Sequence, residues 1–167
     1  GFYIPVPTDK VEAKKILAPF IPIFKSDKII KIGQNLKFDM NILFWYGIDV
    51  EGPFFDTMIA HYLLEPELRH KLDYLAESYL NYKMVPIEEL IGKRGKGQKS
   101  MADLEPADVT DYAAEDADIT YQLKGILEPK LKEENLTGLF NSIEMPLINV
   151  LAEIECAGVK IDKDFLQ

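Results

Sequence analysis

The sequence predicts an α/β fold that contains more helix than strand. Short runs of apolar and β-branched residues, such as Lys28–Gly33, alternate with longer stretches whose apolar residues recur at helical spacing. Proline and glycine mark several of the boundaries between these segments. The chain has 167 residues and is 47% hydrophobic, which suits one ordinary globular domain or most of one.

The strands are expected to be short. Apolar composition and flanking proline or glycine predict strands, in chain order, at Phe2–Val6, Lys28–Gly33, Phe54–Phe55 and Val159–Asp162. Phe2–Val6 is closed by prolines, and Lys28–Gly33 ends in a glycine.

The helices follow from apolar spacing and from their start and stop signals. In chain order they are a helix after Thr8 that runs towards Phe24 and is interrupted around Pro19 and Pro22, Leu36–Tyr46, Asp56–Leu64, Lys71–Asn81, Ile87–Ile91, a long helix from near Pro106, and Leu136–Ala157. Thr8 is the expected N-cap of the first helix, and Gly47 stops the second. Pro129 is expected to kink or end the long helix, with Lys130–Asn135 as its exposed tail.

Composition excludes several classes of protein. No apolar run approaches the length of a membrane span, so no membrane partner is expected. The single cysteine, Cys156, cannot form an internal disulfide, which fits a cytoplasmic location. His61 and His70 do not form a zinc-binding pattern, and both are expected to be structural. The net charge of −9 argues against binding nucleic acid through bulk electrostatics, although not against contact with phosphate through metal ions.

One cluster of basic residues stands out in this acidic chain. Lys93, Arg94, Lys96 and Lys99 lie in the run GKRGKGQKS, residues 92–100, which we call the basic loop. Its glycines and its lack of apolar residues predict a mobile loop. A solvated loop is the favoured interpretation, and contact with phosphate is the alternative.

Two aspartates lie where helical spacing calls for apolar residues. The core-facing stripe of one helix comprises Val109, Tyr112, Asp116, Ile119 and Leu123. The opposite stripe comprises Asp108, Asp111, Glu115 and Asp118, and it is expected to be solvated. Asp116 follows Tyr112 by one helical turn, so the two side chains are neighbours. Asp39 lies similarly on the apolar side of Leu36–Tyr46.

These two carboxylates require a positive partner, because a carboxylate that faces a core is otherwise costly. No Lys or Arg shares either stripe, so a divalent cation is the natural partner of Asp39 and Asp116. In the alternative interpretation, each aspartate caps a neighbouring helix or pairs with a basic residue from elsewhere. The presence of two such groups, with Tyr112 one turn from the second, favours a functional site.

With these residues in view, the chain resembles the proofreading 3′–5′ exonuclease domain of bacterial DNA polymerase I, a family A DNA polymerase. The matching segments, in order, are GQNLKFD (33–39), FDTMIAHYLL (55–64), LDYLAE (72–77), EELIGKRGKGQ (88–98), YAAEDAD (112–118) and SIEMPLINVLAEIECAGVKID (142–162). The last segment resembles the junction that leads into the polymerase thumb. The resemblance implies a ribonuclease H-like exonuclease fold, with a mixed sheet flanked by helices. It also implies an exonuclease domain over residues 1–135 and the start of the polymerase domain over 136–167.

The resemblance further implies roles for individual residues. Asp39 and Asp116 would be catalytic metal ligands in a two-metal phosphodiester hydrolysis, with two Mg²⁺ ions (or Mn²⁺) about 3.5–4 Å apart. The hydroxyl of Tyr112, with a phenolic pKa near 10, would orient the attacking water. The candidates for contact with the 3′ end of single-stranded DNA are Gln34, Asn35, Phe38 and Arg69. From spacing alone, Asn35 equally suits a helix cap and Phe38 a core aromatic.

The family's first motif, Asp-x-Glu on the first strand, is missing, and Phe2–Val6 matches the third strand of the family. The chain is therefore expected to be an N-terminally truncated piece of a polymerase. It would supply two of the family's four metal-binding carboxylates and have no useful nuclease activity of its own. The flank of Ile29–Ile32 would then be exposed. We expect either that Phe2–Val6 covers this flank or that copies of the chain associate through it.

Two other functions remain as alternatives. Some relatives keep this domain as a catalytically silent scaffold of the polymerase, although the joint presence of Asp39, Tyr112 and Asp116 favours activity. A ribonuclease D-like RNA exonuclease shares the tyrosine-bearing motif but does not predict the segment 142–162. The three site residues do not by themselves distinguish DNA from RNA.

Overall fold

The computed structural model describes residues 1–162 and 164–165 and confirms the predicted α/β class. The strands are β1 (Lys31–Gly33) and β2 (Phe54–Asp56). The helices are α1 (Lys10–Leu17), α2 (Ile21–Phe24), α3 (Leu36–Trp45), α4 (Thr57–Leu64), α5 (Leu72–Leu80), α6 (Ile87–Ile91), α7 (Pro106–Glu133), α8 (Thr137–Leu139) and α9 (Met145–Ala157). Residues 163, 166 and 167, which belong to the predicted 136–167 segment, lie outside the described residues.

The two strands pair in parallel, and their register determines the position of the candidate site. Lys31 lies opposite Phe54, and Gly33 lies opposite Asp56. Because parallel strands have their carboxyl ends at the same edge of a sheet, the residues that follow Gly33 lie beside Asp56. Within the described residues the sheet consists of these two strands.

Helix α7 forms the centre of the hydrophobic core. It packs against α4, α5 and β1 through the buried residues Ile119, Leu123 and Leu127. The core continues past α7, since Phe140 is buried and its ring centroid lies 5.0 Å from that of Phe55. The division of the chain at residue 135 stays a prediction, although residues on both sides of it share one core.

Three predictions near the chain ends are wrong. Residues 1–7 form no strand; most of them are exposed, and a β-carbon on Gly1 would lie 2.8 Å from the carbonyl oxygen of Ala114. The N-cap of α1 is Asp9 rather than Thr8, because Asp9 Oδ1 accepts the backbone N–H groups of the helix's first turn. The segment 159–162 is also not a strand.

The flank of β1 remains open in the structure. Because residues 2–6 form no strand, the expectation that they cover this flank is wrong. Ile29 and Ile30 are 45% and 46% exposed. Association of copies through the flank stays a prediction.

Pro129 does not end α7, whereas the residues of the following segment Lys130–Asn135 are exposed as predicted, apart from the buried Leu131. The helix continues to Glu133, with Pro129 in its interior and Lys130 and Lys132 in its last turn. Proline has no N–H to donate, and its ring crowds the carbonyl four residues earlier, which belongs to Gly125. The buried residues Leu127 and Leu131 on either side hold this part of the helix against the core.

In the part of the chain that the structure describes, no helix combines the length and the apolar character needed to cross a membrane.

Replacement of Pro129 in the interior of α7 is expected to stabilise the protein. Pro129→Ala restores a backbone donor and relieves the crowding, so we expect the free energy of unfolding to rise by about 1–3 kcal/mol. Pro106→Ala is the matched control, because Pro106 is the first residue of the same helix and needs no donor there. Measured by urea unfolding, the free energy of unfolding of the control should change by less than about 0.5 kcal/mol. Equal changes in the two variants would contradict the explanation.

Candidate active site

Four of the predicted site residues line one pocket of about 710 Å³. They are Gln34, Asp39, Tyr112 and Asp116. Gln34 follows β1 directly, Asp39 lies in the first turn of α3, and the other two lie one turn apart on α7. The parallel register of β1 and the packing of α7 against β1 bring these elements together. The remaining wall includes Lys71, Asp73 and the segment Met84–Glu88.

Asp39 differs from the expectation in one respect, because the residue is exposed rather than turned into the core. Its exposed part faces the pocket, and its carboxylate lies against the end of β1. A β-carbon placed on Gly33 would lie 3.8 Å from Asp39 Oδ2 and 2.3 Å from Leu36 Cδ2. Loss of water around the carboxylate, together with the nearby charge of Asp56, raises the pKa of Asp39 to about 6.

Asp116 and Tyr112 are half-buried on the wall that α7 forms, as their stripe predicts. Burial, and then the charge of Glu115, raise the pKa of Asp116. The pKa of Tyr112 is also raised, chiefly by burial and then by the neighbouring carboxylates of Asp116, Glu115, Glu88 and Asp73. Tyr112 therefore keeps its proton at neutral pH, so its hydroxyl remains a hydrogen-bond donor.

The carboxylates of Asp39 and Asp116 are available to a ligand. Among residues 1–162 and 164–165, neither accepts a hydrogen bond or pairs with a basic side chain, so neither caps a helix. Carboxylate oxygens suit hard divalent cations, and Mg²⁺ commonly takes only one or two protein carboxylates together with water and substrate phosphates. The two aspartates fit this chemistry. Within the described chain, no group of three or more His, Cys, Asp or Glu residues is arranged so that it could hold a metal ion.

Asp56 is a residue of the site region that sequence reasoning missed. Its side chain is 1% exposed and accepts four backbone N–H groups. Two of them, from Met58 and Ile59, belong to the first turn of α4, which Asp56 caps. The others, from Asn35 and Leu36, lie at 3.2 and 2.7 Å and belong to the start of α3. Burial raises the pKa of Asp56, and the four hydrogen bonds oppose this shift.

The two polar residues between β1 and α3 have partners within the protein. Gln34 Nε2 donates to the carbonyl of His70 at 2.6 Å, and its Oε1 accepts from the Thr57 hydroxyl at 2.5 Å. Asn35 occupies the N-cap position of α3 in a left-handed conformation, but its side chain forms no capping hydrogen bond. Asn35 therefore has the position of a cap, but Asp56 rather than the Asn35 side chain accepts the N–H groups there. Asn35 is not among the residues that line the pocket.

Phe38 and Arg69 lie outside the pocket lining, and both are exposed. Phe38 is 61% exposed, so the interpretation as a core aromatic is wrong. The basic residue on the pocket wall is Lys71, which sequence reasoning did not identify. Its position at the start of α5, two residues after Arg69, was the available signal.

The acidic stripe opposite Asp116 is not wholly solvated, because Glu115 has a structural role. Its Oε1 accepts a hydrogen bond from the Tyr82 hydroxyl at 2.7 Å, and its Oε2 accepts one from the backbone N–H of Val85 at 3.0 Å. Val85 lines the pocket, so Glu115 holds one pocket wall against α7.

His61 and His70 form a hydrogen-bonded pair behind the pocket. Their Nδ1 atoms lie 2.7 Å apart, and His61 is 1% exposed beneath the rings of Tyr74 and Tyr79. The carbonyl of His70 also accepts the hydrogen bond from Gln34. Burial, and then the neighbouring His70, lower the pKa of His61, so its ring is held neutral. The pair supports the pocket wall rather than lining it.

The fold and the site together define a class of protein, an α/β domain of the exonuclease type with a carboxylate-lined pocket. Brucella melitensis NrnC bound to pGG has a similar fold, with a TM-score of 0.68 at 23% identity over 86% of this chain and 67% of that chain. This likeness supports the predicted ribonuclease H-like exonuclease fold.

The chain belongs to the 3′–5′ exonuclease family of family A DNA polymerases, whose model matches residues 1–132. DNA polymerase I of Borreliella burgdorferi is 40% identical over 170 residues, which cover 100% of this chain and 18% of that protein. DNA polymerase I of Pseudomonas aeruginosa is 34% identical over 168 residues, covering 98% of this chain and 18% of that protein. This chain therefore spans less than a fifth of the length of these relatives.

Substitution of Asp56 should reduce the stability of the fold more than substitution of an exposed helix cap does. Asp56→Ala removes the acceptor of four backbone N–H groups, two of them at the start of α3. We expect the free energy of unfolding to fall by about 2–4 kcal/mol, because a helix cap is removed and buried N–H groups are left without an acceptor. Asp9→Ala, at the exposed cap of α1, is the control and should cost only about 1 kcal/mol. Similar decreases in the two variants would show that the hydrogen bonds to α3 contribute little.

The histidine pair predicts a pH dependence of stability. The folded chain holds the pKa of His61 below its ordinary value of 6.5, so the unfolded chain binds a proton more readily. The contribution of His61 to the free energy of unfolding is therefore fully present above pH 6.5 and is lost as the pH falls below 6.5. The raised pKa values of the pocket aspartates act in the opposite direction, so only the difference from wild type is informative. We expect the stability of His61→Phe, measured by urea unfolding, to improve relative to wild type between about pH 7.5 and 5.5. A constant difference would contradict the assignment.

Proposed function

We propose that this chain contributes to the proofreading site of a longer DNA polymerase I, and that this site removes nucleotides from the 3′ end of single-stranded DNA. The supporting observation is that Asp39, Tyr112 and Asp116 share one pocket, with both carboxylates free of partners in the described chain. DNA replication and repair by the whole protein in the cytoplasm belong to the same proposal.

The mechanism assigns a task to each residue. Asp39 and Asp116 would hold divalent ions, proposed to be two Mg²⁺, together with carboxylates from outside this chain, and such ions would supply positive charge that stabilises the phosphate during hydrolysis. Tyr112 remains protonated because of its raised pKa, and its hydroxyl orients the attacking water. Lys71 on the pocket wall can neutralise a phosphate.

The residues proposed to contact the substrate differ in whether they line the pocket. Gln34 lines the pocket and retains one amide hydrogen that its contacts with His70 and Thr57 do not use. Asn35 and Phe38 flank the pocket at the start of α3, and Phe38 is exposed enough to stack on a base. Arg69 precedes Lys71 by two residues and is exposed, so it is available to a phosphate.

The test uses the longer protein with Mg²⁺ and single-stranded DNA labelled at its 5′ end. Wild type should produce a ladder of 3′-shortened products, and Asp39→Ala and Asp116→Ala should each reduce the rate by more than about 100-fold. Asp118→Ala is the control, because Asp118 is exposed on the same helix and does not line the pocket. Primer extension should persist in all variants.

Other outcomes would identify the alternatives. An unshortened oligonucleotide with normal primer extension would make the domain a silent scaffold. Shortening of RNA in preference to DNA would favour the ribonuclease D-like function. The isolated 167-residue chain is expected to show no useful activity, and rapid 3′ digestion by it would contradict the need for further carboxylates.

A further inference from the structure

The basic loop lies next to the candidate active site. It begins directly after α6, and two residues of this helix, Ile87 and Glu88, line the pocket. Gly92 follows Glu88 by four positions, which corresponds to about 6 Å along a helix. On its other side the loop is followed by residues 101–105 and then by α7, the helix that carries Tyr112 and Asp116.

The loop is held to the end of α6. The backbone N–H of Lys99 donates to the carbonyl of Ile91 at 2.9 Å, and Gln98 Nε2 donates to the carbonyl of Gly92 at 3.3 Å. The glycines at 92, 95 and 97 have positive φ values of 83°, 149° and 104°, which allow the chain to turn back on itself. The end of the loop is thus hydrogen-bonded back to its start, beside the pocket.

The basic side chains of the loop are available to a ligand. Every residue from 92 to 100 is exposed. Within residues 1–162 and 164–165, none of the four basic side chains forms an ion pair. The nearest acidic residues along the chain are Glu88, Glu89 and Asp103. Charges are screened beyond about 8 Å at physiological salt, so four positive charges create a local basic surface despite the net charge of −9.

We propose that the basic loop binds the phosphate backbone of single-stranded DNA upstream of the nucleotide in the pocket. This inference rests on the proposed function, because it takes the pocket as the position of the 3′ end. An acidic pocket repels a polyanion unless cations are bound, so a separate basic contact is needed to retain the strand. Exposed Lys and Arg side chains bind such a backbone without reading its sequence.

The test is the salt dependence of binding, measured with the 167-residue chain by fluorescence anisotropy on labelled oligothymidylate in Mg²⁺. A variant in which Lys93, Arg94, Lys96 and Lys99 are all replaced by Ala should bind at least 10-fold more weakly at low salt. Its slope of log affinity against log salt should fall by about 0.7 for each DNA phosphate that the loop no longer neutralises.

The matched control replaces Lys10, Lys14, Lys15 and Lys132 with Ala. These residues are exposed, lie outside the pocket lining, and their removal changes the net charge by the same amount. The control should keep the wild-type slope. Thymidine 5′-monophosphate, which is too short to reach the loop, should compete equally well with wild type and the loop variant.

Equal weakening of binding in the two variants would assign the effect to net charge and overturn the proposal. An unchanged slope in the loop variant, or no measurable binding by wild type, would also overturn it. Failure of the proposed function is a separate result, because it appears as undiminished cleavage by Asp39→Ala and Asp116→Ala in the longer protein. A loop that binds DNA beside a catalytically silent pocket would leave this inference standing.

Discussion

The structure around the site depends on the carboxylate of Asp56. This one buried group accepts backbone N–H groups from the starts of both α3 and α4. The first N–H groups of a helix have no partner within the helix, so two helices that begin side by side create a shared need for acceptors. Asp56 meets this need because it ends β2 opposite Gly33, and α3 begins three residues after Gly33.

The same contact determines where Asp39 can lie. Asp56 fixes the N–H of Leu36, and Asp39 follows Leu36 by three residues, within the same helical turn. Close approach of this turn to β1 requires Gly33, because a β-carbon there would lie 2.3 Å from the side chain of Leu36. The cost of the arrangement is electrostatic: burial of the Asp39 carboxylate, and then repulsion from the nearby charge of Asp56, raise the pKa of Asp39 to about 6. A bound cation would offset this repulsion, which gives the pocket a physical reason to bind one.

Much of this site could be predicted from the sequence, because the decisive signals are local. The stripe that joins Tyr112 to Asp116 depends only on helical periodicity, and the structure places both residues on one pocket wall. Asp56 was recognisable as the start of a helix, but its contacts with α3 depend on the register of two strands, which periodicity does not give. The strand predicted at 2–6 is absent for a related reason, since a short apolar run forms a strand only where a partner strand can accept and donate its backbone hydrogen bonds. The helix does not end at Pro129, because burial of Leu127 and Leu131 outweighs the helix-breaking effect of a proline.

The site also depends on residues beyond the part of the chain that the family model matches. That match ends at residue 132, yet α9 packs along α3, the helix that carries Asp39. Glu155 on α9 pairs with Lys37 and accepts a hydrogen bond from Asn41 Nδ2 at 2.6 Å. Lys37 and Asn41 lie on α3 on either side of Asp39 in sequence, so the ion pair and the hydrogen bond fix the outer side of the helix while Asp56 fixes its start. A displacement of α9 would therefore be transmitted to the first turn of α3, and the position of the Asp39 carboxylate would change with a segment that contributes no residue of its own to the pocket.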